Sequence, residues 1–173
     1  MKILVTGTGT LLGNTIIRSL QKKNFELIGT YRSSYPKLSK HNKVKIIKHD
    51  LNNSLKITDK FDVLIHCASG IPSDLLTRQQ MIKVNFYGFK KLLELAIKNG
   101  CKKVILFSTM SVYGKVKAKT LNETTPSGKL DSYGLSKLNM ENYLKNIAKK
   151  SKLSYAIFRI PAILGVKSKN NFL

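Results

Sequence analysis

The alternation of short apolar segments with longer segments of helical period is the feature that most constrains the fold. The apolar segments are Lys2–Thr6, Glu26–Tyr31, Val44–Lys48, Asp62–His66, Lys103–Ser108 and Ser154–Arg159. The helical segments are Leu11–Lys23, Met81–Lys98 and Tyr133–Lys149. Strands that are apolar on both faces are typical of a parallel sheet covered by helices on each side. The pattern therefore predicts an α/β fold, a doubly wound parallel sheet of about six strands with helices on both faces.

Length and charge limit the classes of function. The 173 residues, 42% of them hydrophobic, suit one domain. The net charge of +22 raises nucleic acids and anionic membranes as partners. The lysines are scattered over segment ends and helix faces, however, with no arginine-rich arm and no interleaved aromatic residues. This distribution favours a solvated basic surface over a nucleic-acid site.

Cysteine usage and hydropathy bear on metals and location. Cys67 and Cys101 lack the spacing of a ligand pair, which predicts neither a zinc site nor a disulfide. The apolar run Ile3–Val5 is too short for the core of a signal peptide, and no stretch is long enough to span a bilayer. We therefore expect a cytoplasmic protein with neither a metal nor a membrane partner.

The loop after the first apolar segment reads Thr6-Gly7-Thr8-Gly9-Thr10-Leu11-Leu12-Gly13. Glycines between a strand and a helix let the backbone approach a phosphate, and the helix N-terminus then offers free N–H groups. The spacing departs from the common G-x-G-x-x-G pattern because Leu12 stands at the third glycine position. An ordinary strand-to-helix turn is the alternative interpretation. The residues predicted to hold a nucleotide here are Gly7, Gly9, Thr10, Leu11, Leu12 and Gly13.

Three further segment ends carry candidate cofactor residues, because ligands of doubly wound sheets bind at the carboxyl ends of the strands. Arg32 stands where an acidic residue would bind the ribose of NAD, and an arginine there suits the 2′-phosphate of NADP. Asp50 and Leu51 are placed to meet an adenine, and the small residues Ala68 and Ser69 let a ligand lie against the backbone. The predicted cofactor is NADP, with NAD as the alternative.

The predicted catalytic residues are Thr109, Tyr133 and Lys137. Tyr133 and Lys137 lie four residues apart and share one helix face, one element after the strand end STMSVYG. A neighbouring ammonium favours a phenolate, so we expect Lys137 to lower the pKa of Tyr133. Tyr133 would then move a proton to or from a substrate hydroxyl or carbonyl, while Thr109 holds the same oxygen.

In the order and spacing of these motifs the chain resembles the extended short-chain dehydrogenase/reductase family, the NAD(P)-dependent epimerases and dehydratases of nucleotide sugars. The resemblance covers nearly the whole chain and rests on ILVTGTGTLLG, HDL, DVLIHCAS, VNFYGFKKLLELA, VILFSTMSVYG, YGLSKLNMENYL and FRIPAILG. It implies a Rossmann-like NAD(P)-binding domain over residues 1–173. It also implies hydride transfer at a sugar carbon, usually C4, with Tyr133 as acid and base.

The resemblance assigns several further roles. The family's TGxxGxxG pattern falls on Thr6, Gly7, Thr10 and Gly13. In this frame Thr10 replaces the middle glycine, and Leu12 packs the helix on the sheet. Lys137 is implied to bind the nicotinamide ribose, and Asn85 to order the helix beside the cofactor. The stretch Arg159–Gly165 corresponds to the segment that closes over the nicotinamide.

Some features depart from the family or narrow its chemistry. Family members are longer, and their C-terminal part binds the nucleotide sugar, so the resemblance implies that this substrate domain is largely absent from the chain. Met110 and Ser111 lack the acidic pair expected of a 4,6-dehydratase, which favours an epimerase or a keto-sugar reductase. Leu51–Phe61 is short for a full helix between two strands. In the family, the helices that match Met81–Lys98 and Tyr133–Lys149 pair across a two-fold axis, which implies a homodimer.

Three hypotheses of different classes result. The first is an NADP-preferring oxidoreductase or epimerase that acts on a nucleotide sugar. The second is a non-catalytic NADP-binding or interaction module without the substrate domain. The third, ranked lowest, is a basic nucleic-acid binder on the same scaffold, which tight binding with a steep salt dependence would reveal.

Overall fold

A sheet of six strands organises the part of the chain that the computed structural model describes, residues 1–38, 44–115 and 119–163. Its strands are β1 (Lys2–Thr6), β2 (Glu26–Tyr31), β3 (Val44–Lys48), β4 (Val63–His66), β5 (Lys103–Thr109) and β6 (Ser154–Ile160). The α-helices of the described residues are α1 (Leu11–Gln21), α2 (Arg78–Ile82), α3 (Gly88–Lys98) and α4 (Ser132–Lys149). A π-helical turn covers Lys83–Tyr87, and 3-10 turns cover Pro72–Asp74 and Met110–Tyr113.

The strand order is β3-β2-β1-β4-β5-β6, and every pairing is parallel. The chain starts in the middle of the sheet, moves outward to β3, and then crosses back to β4 on the other side of β1. This order is that of the Rossmann fold, in which a crevice opens between the two strands where the direction of winding reverses. The predicted doubly wound sheet is therefore confirmed, and each predicted strand is displaced by one residue at most.

The two faces of the sheet bury separate apolar clusters. On one face Ile17 of α1 packs with the alternate strand residues Ile3, Val5, Leu27 and Ile65. On the other face α3 and α4 cover the remaining strand residues. That larger cluster includes Leu4, Ile28, Leu64, Leu106, Phe89, Leu93, Met140 and Leu144. The central strands are thus apolar on both sides, which is why they show no polar alternation in the sequence.

Helix ends follow local signals. The N-cap of α4 is Asp131, whose carboxylate accepts a 2.6 Å hydrogen bond from the N–H of Gly134. At the other end of the core, α3 stops at Asn99, and Gly100 turns the chain with a φ of +85°.

The segment predicted as one helix, Met81–Lys98, is a composite. It begins earlier, at Arg78, where Thr77 and Gln80 form a reciprocal capping box. The π-helical turn Lys83–Tyr87 then joins α2 to α3. Turns of this kind are frequent at functional sites. As expected from its length, the connection from β3 to β4 contains no helix. No helix within the described ranges is both long and apolar enough to cross a membrane.

Candidate functional site

A cleft opens at the carboxyl ends of β1, β2, β3 and β4, where the strand order reverses. The predicted residues that line it are Gly7, Gly9, Thr10, Arg32, Asp50, Leu51, Ala68 and Ser69. The sequence prediction missed other lining residues, namely Thr30, Tyr31, Ser33, Ser34, His49, Gly70 and Val84. Most of these are immediate neighbours of predicted residues, so position at a strand end was a signal for them too.

Close backbone approach explains the first and last glycines of the loop. Gly7 has a φ of +72°, and a Cβ there would lie 2.7 Å from the backbone nitrogen of Ala68. A Cβ on Gly13 would overlap the carbonyl of Gly7, so the helix can start against the loop only without a side chain. The loop is therefore a cradle of bare backbone between β1 and β4, which fits the phosphates of a dinucleotide.

Thr10 is the N-cap of α1. Its hydroxyl donates to the carbonyl of Gly7 at 2.8 Å and accepts from the N–H of Gly13 at 3.2 Å. A threonine hydroxyl has one proton, and Gly7 receives it here. Thr10 therefore closes the loop from within and takes up one of the free N–H groups at the helix start.

The sequence predicts that Leu11 and Leu12 help to hold a nucleotide and that Leu12 packs α1 on the sheet. Leu11 and Leu12 are half-buried, whereas the buried residues of α1 are Gly13 and Ile17. Ile16, Ile17 and Leu20 are the α1 residues in the apolar cluster against the sheet, and the packing role expected of Leu12 falls to them. Neither Leu11 nor Leu12 is among the residues lining the cleft.

Arg32 is exposed at the rim of the cleft, directly after β2. Beside it, the ring of Tyr31 packs edge-on against that of Tyr35, with centroids 5.2 Å apart. Asp50 accepts hydrogen bonds from the backbone and side-chain amides of Asn52 at 2.8 and 3.0 Å. The β2 and β3 ends thus supply one cation and one fixed carboxylate to the same cleft.

Asn85, fully buried in the π-helical turn, connects the cleft to α4. Its Oδ1 accepts from the N–H of Gly70 at 2.7 Å, and its Nδ2 donates to the Gly70 carbonyl at 3.1 Å. Nδ2 also donates to Ser136 Oγ at 2.9 Å, while Ser69 Oγ lies 3.2 Å from Oδ1. Asn85 therefore ties the loop after β4 to Ser136, near the start of α4.

Tyr133 is half-buried at the start of α4, and Ser69 is near enough to influence its pKa. Burial raises the pKa of Tyr133, and the carboxylate of Asp131 raises it further, although Ser69 acts in the opposite direction. The expectation that Lys137 lowers the pKa of Tyr133 is therefore wrong for this form of the protein, because desolvation outweighs any stabilisation of the phenolate.

Lys137 is buried at 3% exposure, and its ammonium donates to the carbonyl of Phe107 at 2.6 Å. Burial lowers the pKa of Lys137 to about 8, against smaller opposing effects of Cys67 and Glu141. The ammonium is thus bound to β5 and does not hydrogen-bond with Tyr133 in the described structure.

Thr109 ends β5 and caps the turn that follows. Its hydroxyl accepts from the N–H of Ser111 at 3.2 Å. Gly134 lies so close to Ser111 that a Cβ would overlap the Ser111 carbonyl, which brings the start of α4 against this turn. Thr109, Tyr133 and Lys137 therefore meet at one end of the sheet, although no hydrogen bond joins them directly among the described residues.

His66 is fully buried behind the cleft, at the end of β4. Thr6 Oγ1 accepts from the N–H groups of Cys67 and Ala68, so it donates to His66 Nδ1 at 2.8 Å. The proton of neutral His66 is therefore on Nε2, which has no hydrogen-bond partner among the described residues. Burial, with smaller effects of Lys137 and His49, holds the pKa of His66 well below its usual value.

Both cysteines are free thiols, and burial raises the pKa of Cys67 to about 12. Cys67 thus remains a neutral thiol at physiological pH. Within the described ranges, no group of histidine, cysteine and acidic side chains is arranged to hold a metal. Of the predicted closing segment Arg159–Gly165, residues 164 and 165 lie outside the described residues.

A sequence model of the NAD dependent epimerase/dehydratase family matches residues 3–173. The chain is 28% identical over 173 residues to a putative UDP-glucose 4-epimerase of Methanocaldococcus jannaschii, covering 94% of this chain and 56% of that protein. It is 26% identical over 180 residues to the human dTDP-D-glucose 4,6-dehydratase, covering 95% and 51% respectively.

One solved structure is similar to this chain in both fold and sequence. The UDP-N-acetylglucosamine 4-epimerase from Methanobrevibacter ruminantium M1, solved in complex with UDP-N-acetylmuramic acid, superposes with a TM-score of 0.82 at 26% identity. The alignment covers 91% of this chain and 54% of that one. The chain therefore spans about half the length of the relatives that it matches.

Proposed function

Because the chain belongs to the NAD dependent epimerase/dehydratase family, we propose that it is the cofactor-binding part of a nucleotide-sugar epimerase or keto-sugar reductase. The observation that carries the proposal is the connection of the dinucleotide cleft to the start of α4. Ser69 lines the cleft and is near enough to Tyr133 to influence its pKa, while Asn85 ties the same loop to Ser136. A cofactor bound along the cleft would therefore end beside the proposed acid–base residue.

The lining of the cleft suits the phosphate and adenine parts of a dinucleotide. The bare backbone around Gly7 and Gly13 would accept the phosphates, and Asp50 and Leu51 would meet the adenine. Lys137, once released from the Phe107 carbonyl, would hold the nicotinamide ribose. Arg32, at the end of β2, supports NADP over NAD, since a 2′-phosphate is paired there by an arginine and a 2′-hydroxyl by a carboxylate.

The reaction is a reversible oxidation at a sugar carbon. When bound, a nicotinamide would supply the hydride acceptor and donor for this reaction. Tyr133 would take the proton from the sugar hydroxyl during oxidation of the carbon and return it during reduction. Thr109 donates a hydrogen bond to the same oxygen. To support the phenolate, the Lys137 ammonium must turn from the Phe107 carbonyl, to which it is bound here, towards Tyr133 and the ribose.

Two measurements test this proposal. Titration with NADPH and with NADH, followed by nicotinamide fluorescence, should give saturable binding with NADPH preferred. Assays with UDP- and dTDP-sugars, carried out on protein in which this chain is joined to a substrate-binding domain, should then show turnover that Tyr133→Phe abolishes while its NADPH affinity is retained. Full turnover by Tyr133→Phe would refute the proton-transfer role, and absence of NADPH and NADH binding at millimolar ligand would refute the function as a whole.

A non-catalytic NADP-binding module is the second candidate. It is supported by the raised pKa of Tyr133 and by the engagement of Lys137 with the backbone of β5. Saturable NADPH binding without turnover of any nucleotide sugar would favour this candidate.

A homodimer through α3 and α4 is part of the proposal. Tyr87 is 51% exposed and Ile97 39% exposed on this side of the sheet. Phe86 packs edge-on against Tyr143 of α4, at 5.9 Å between ring centroids. A replacement such as Ile97→Asp should shift the mass measured by light scattering from two chains to one.

A further inference from the structure

Glu141 is a fully buried carboxylate in the middle of α4, at 0% exposure. The guanidinium of Arg159 on β6 donates to it from Nη2 at 2.8 Å, and from Nε at 3.1 and 3.2 Å. Ser108 on β5 donates to the same carboxylate at 2.5 Å. Lys145 Nζ lies farther away, at 3.7 Å. The carboxylate is thus satisfied by three elements, α4 itself, β5 and β6.

A buried ion pair is a poor source of net stability, because desolvation of both charges offsets most of their attraction. What such a pair does provide is geometry, since a carboxylate held by an arginine fork and a hydroxyl tolerates little displacement.

The pair lies where α4 packs against the end of β5. Glu141 follows Lys137 by one helical turn, and Ser108 lies between Phe107 and Thr109 on β5. Lys137 donates to the carbonyl of Phe107 at 2.6 Å, and Ser108 donates to Glu141. Two successive turns of α4 are therefore bonded to two successive residues of β5, directly before Thr109. A displacement of α4 by one turn would break both bonds.

Arg159 extends the connection to the turn after Thr109. It is the register partner of Ser108 in the β5–β6 pair, and its guanidinium lies 4.8 Å from the ring centroid of Tyr113. The Tyr113 hydroxyl in turn donates to the carbonyl of Asn122 at 2.9 Å. The same arginine thus contacts the helix, the strand end and the turn that surround the proposed reaction site.

We propose that Glu141 and Arg159 are positioning residues, which hold the first two turns of α4 against the end of β5 and so set Tyr133 and Lys137 relative to Thr109. The effect on cofactor binding rests on the proposed function, whereas the effect on α4 does not. Neither residue lines the dinucleotide cleft, so both act through the residues that they hold in place.

The first test follows α4 without any ligand. Backbone hydrogen exchange is compared for wild type, Glu141→Gln and the double replacement Glu141→Met with Arg159→Met. The apolar double variant removes both charges together and should remain folded even if Glu141→Gln does not. We expect exchange in residues 133–137 to accelerate about tenfold or more in the variants, with exchange in α1 unchanged. An equal acceleration in both helices, or none in residues 133–137, would overturn the proposal.

The second test measures NADPH affinity of the same folded variants by fluorescence. We expect the affinity to fall about tenfold, because Lys137 is displaced from the ribose. Lys145→Met is the matched control, since it removes the most distant partner of Glu141 and should change neither readout. Wild-type protein that binds no NADPH would refute the proposed function, while the exchange measurement alone would still decide the positioning role.

Discussion

The hydroxyl of Thr10 donates a 2.8 Å hydrogen bond to the carbonyl of Gly7 and accepts a 3.2 Å hydrogen bond from the N–H of Gly13. Thr10 stands where the family pattern has its middle glycine, and a threonine there could either obstruct a phosphate or bind one. Because its single proton is used within the loop, the hydroxyl acts as a helix cap and does not donate to a phosphate in this arrangement.

Replacements of Thr10 distinguish its role as the N-cap of α1 from steric obstruction of a bound phosphate. Thr10→Val keeps the volume and loses the hydroxyl, so it should lower the free energy of unfolding by about 1 kcal/mol, whereas Thr10→Ser should change it little. Thr10→Gly should tighten NADPH binding, because it removes the side chain from the phosphate cradle. Urea denaturation and fluorescence titration measure the two effects. Weaker binding by Thr10→Gly would instead identify Thr10 as a phosphate ligand.

Asn85 should be among the most sensitive positions outside the apolar core. Asn85→Ala leaves the buried N–H of Gly70 and the hydroxyl of Ser136 without their partner, and we expect a loss of about 2–4 kcal/mol in the free energy of unfolding. Asn99→Ala is the control, since Asn99 makes one partly buried hydrogen bond, to the Asp59 carbonyl at 3.1 Å. Similar losses for the two variants in urea denaturation would contradict the central role of Asn85.

Because His66 is buried, we expect the folded protein to lose stability in mild acid. The pKa of His66 in the folded protein lies well below 6.5, chiefly because of burial, so below that pH the unfolded chain binds a proton that the native protein does not. Stability should therefore fall by up to about 1.4 kcal/mol per pH unit below 6.5. His66→Asn cannot titrate and should lose this slope, whereas His49→Gln should keep it. Parallel slopes for wild type and His66→Asn would show that another group is responsible.

Because Lys137 is buried, we expect the stability of the folded protein to rise in mild base. The pKa of Lys137 is about 8 in the folded protein and 10.5 without burial, so the unfolded chain binds more protons between these two values. In that window wild type should gain about 2–3 kcal/mol relative to Lys137→Met, and at neutral pH Lys137→Met should be the more stable protein. Unfolding by urea at pH 7, 8.5 and 10 measures the difference. Lys145→Met, which removes a half-exposed lysine of the same helix, is the matched control.

We expect Arg32 to decide whether NADPH or NADH binds more tightly. Arg32→Asp exchanges a cation that can pair with a 2′-phosphate for a carboxylate that can bind a ribose hydroxyl. The ratio of NADPH to NADH affinity should fall by about tenfold or more, since one opposed charge becomes a like charge. Arg18→Asp makes the same charge change on α1, away from the cleft. An unchanged ratio in Arg32→Asp, or the same change in both variants, would remove the basis for NADP preference.

Many residues that line the cleft could be predicted from the sequence, because they directly follow strands that the sequence also predicts. Gly7, Arg32, Asp50 and Ser69 each follow an apolar strand, and the carboxyl ends of parallel strands lie at one edge of a sheet. The neighbouring Tyr31 and His49 were missed for a related reason. A pattern of strand ends marks the edge of the sheet but does not say which side chains beside it face the cleft.

The sequence by itself determined the strands and the helices α1 and α4, because apolar period and capping residues act over a few neighbouring positions. Tertiary structure alone decided the state of the chemical groups. The raised pKa of Tyr133, the bond from Lys137 to Phe107 and the pair of Glu141 with Arg159 all depend on burial and on partners distant along the chain. Desolvation and hydrogen bonding are set by what surrounds a group in three dimensions, and no local pattern of residues records those surroundings.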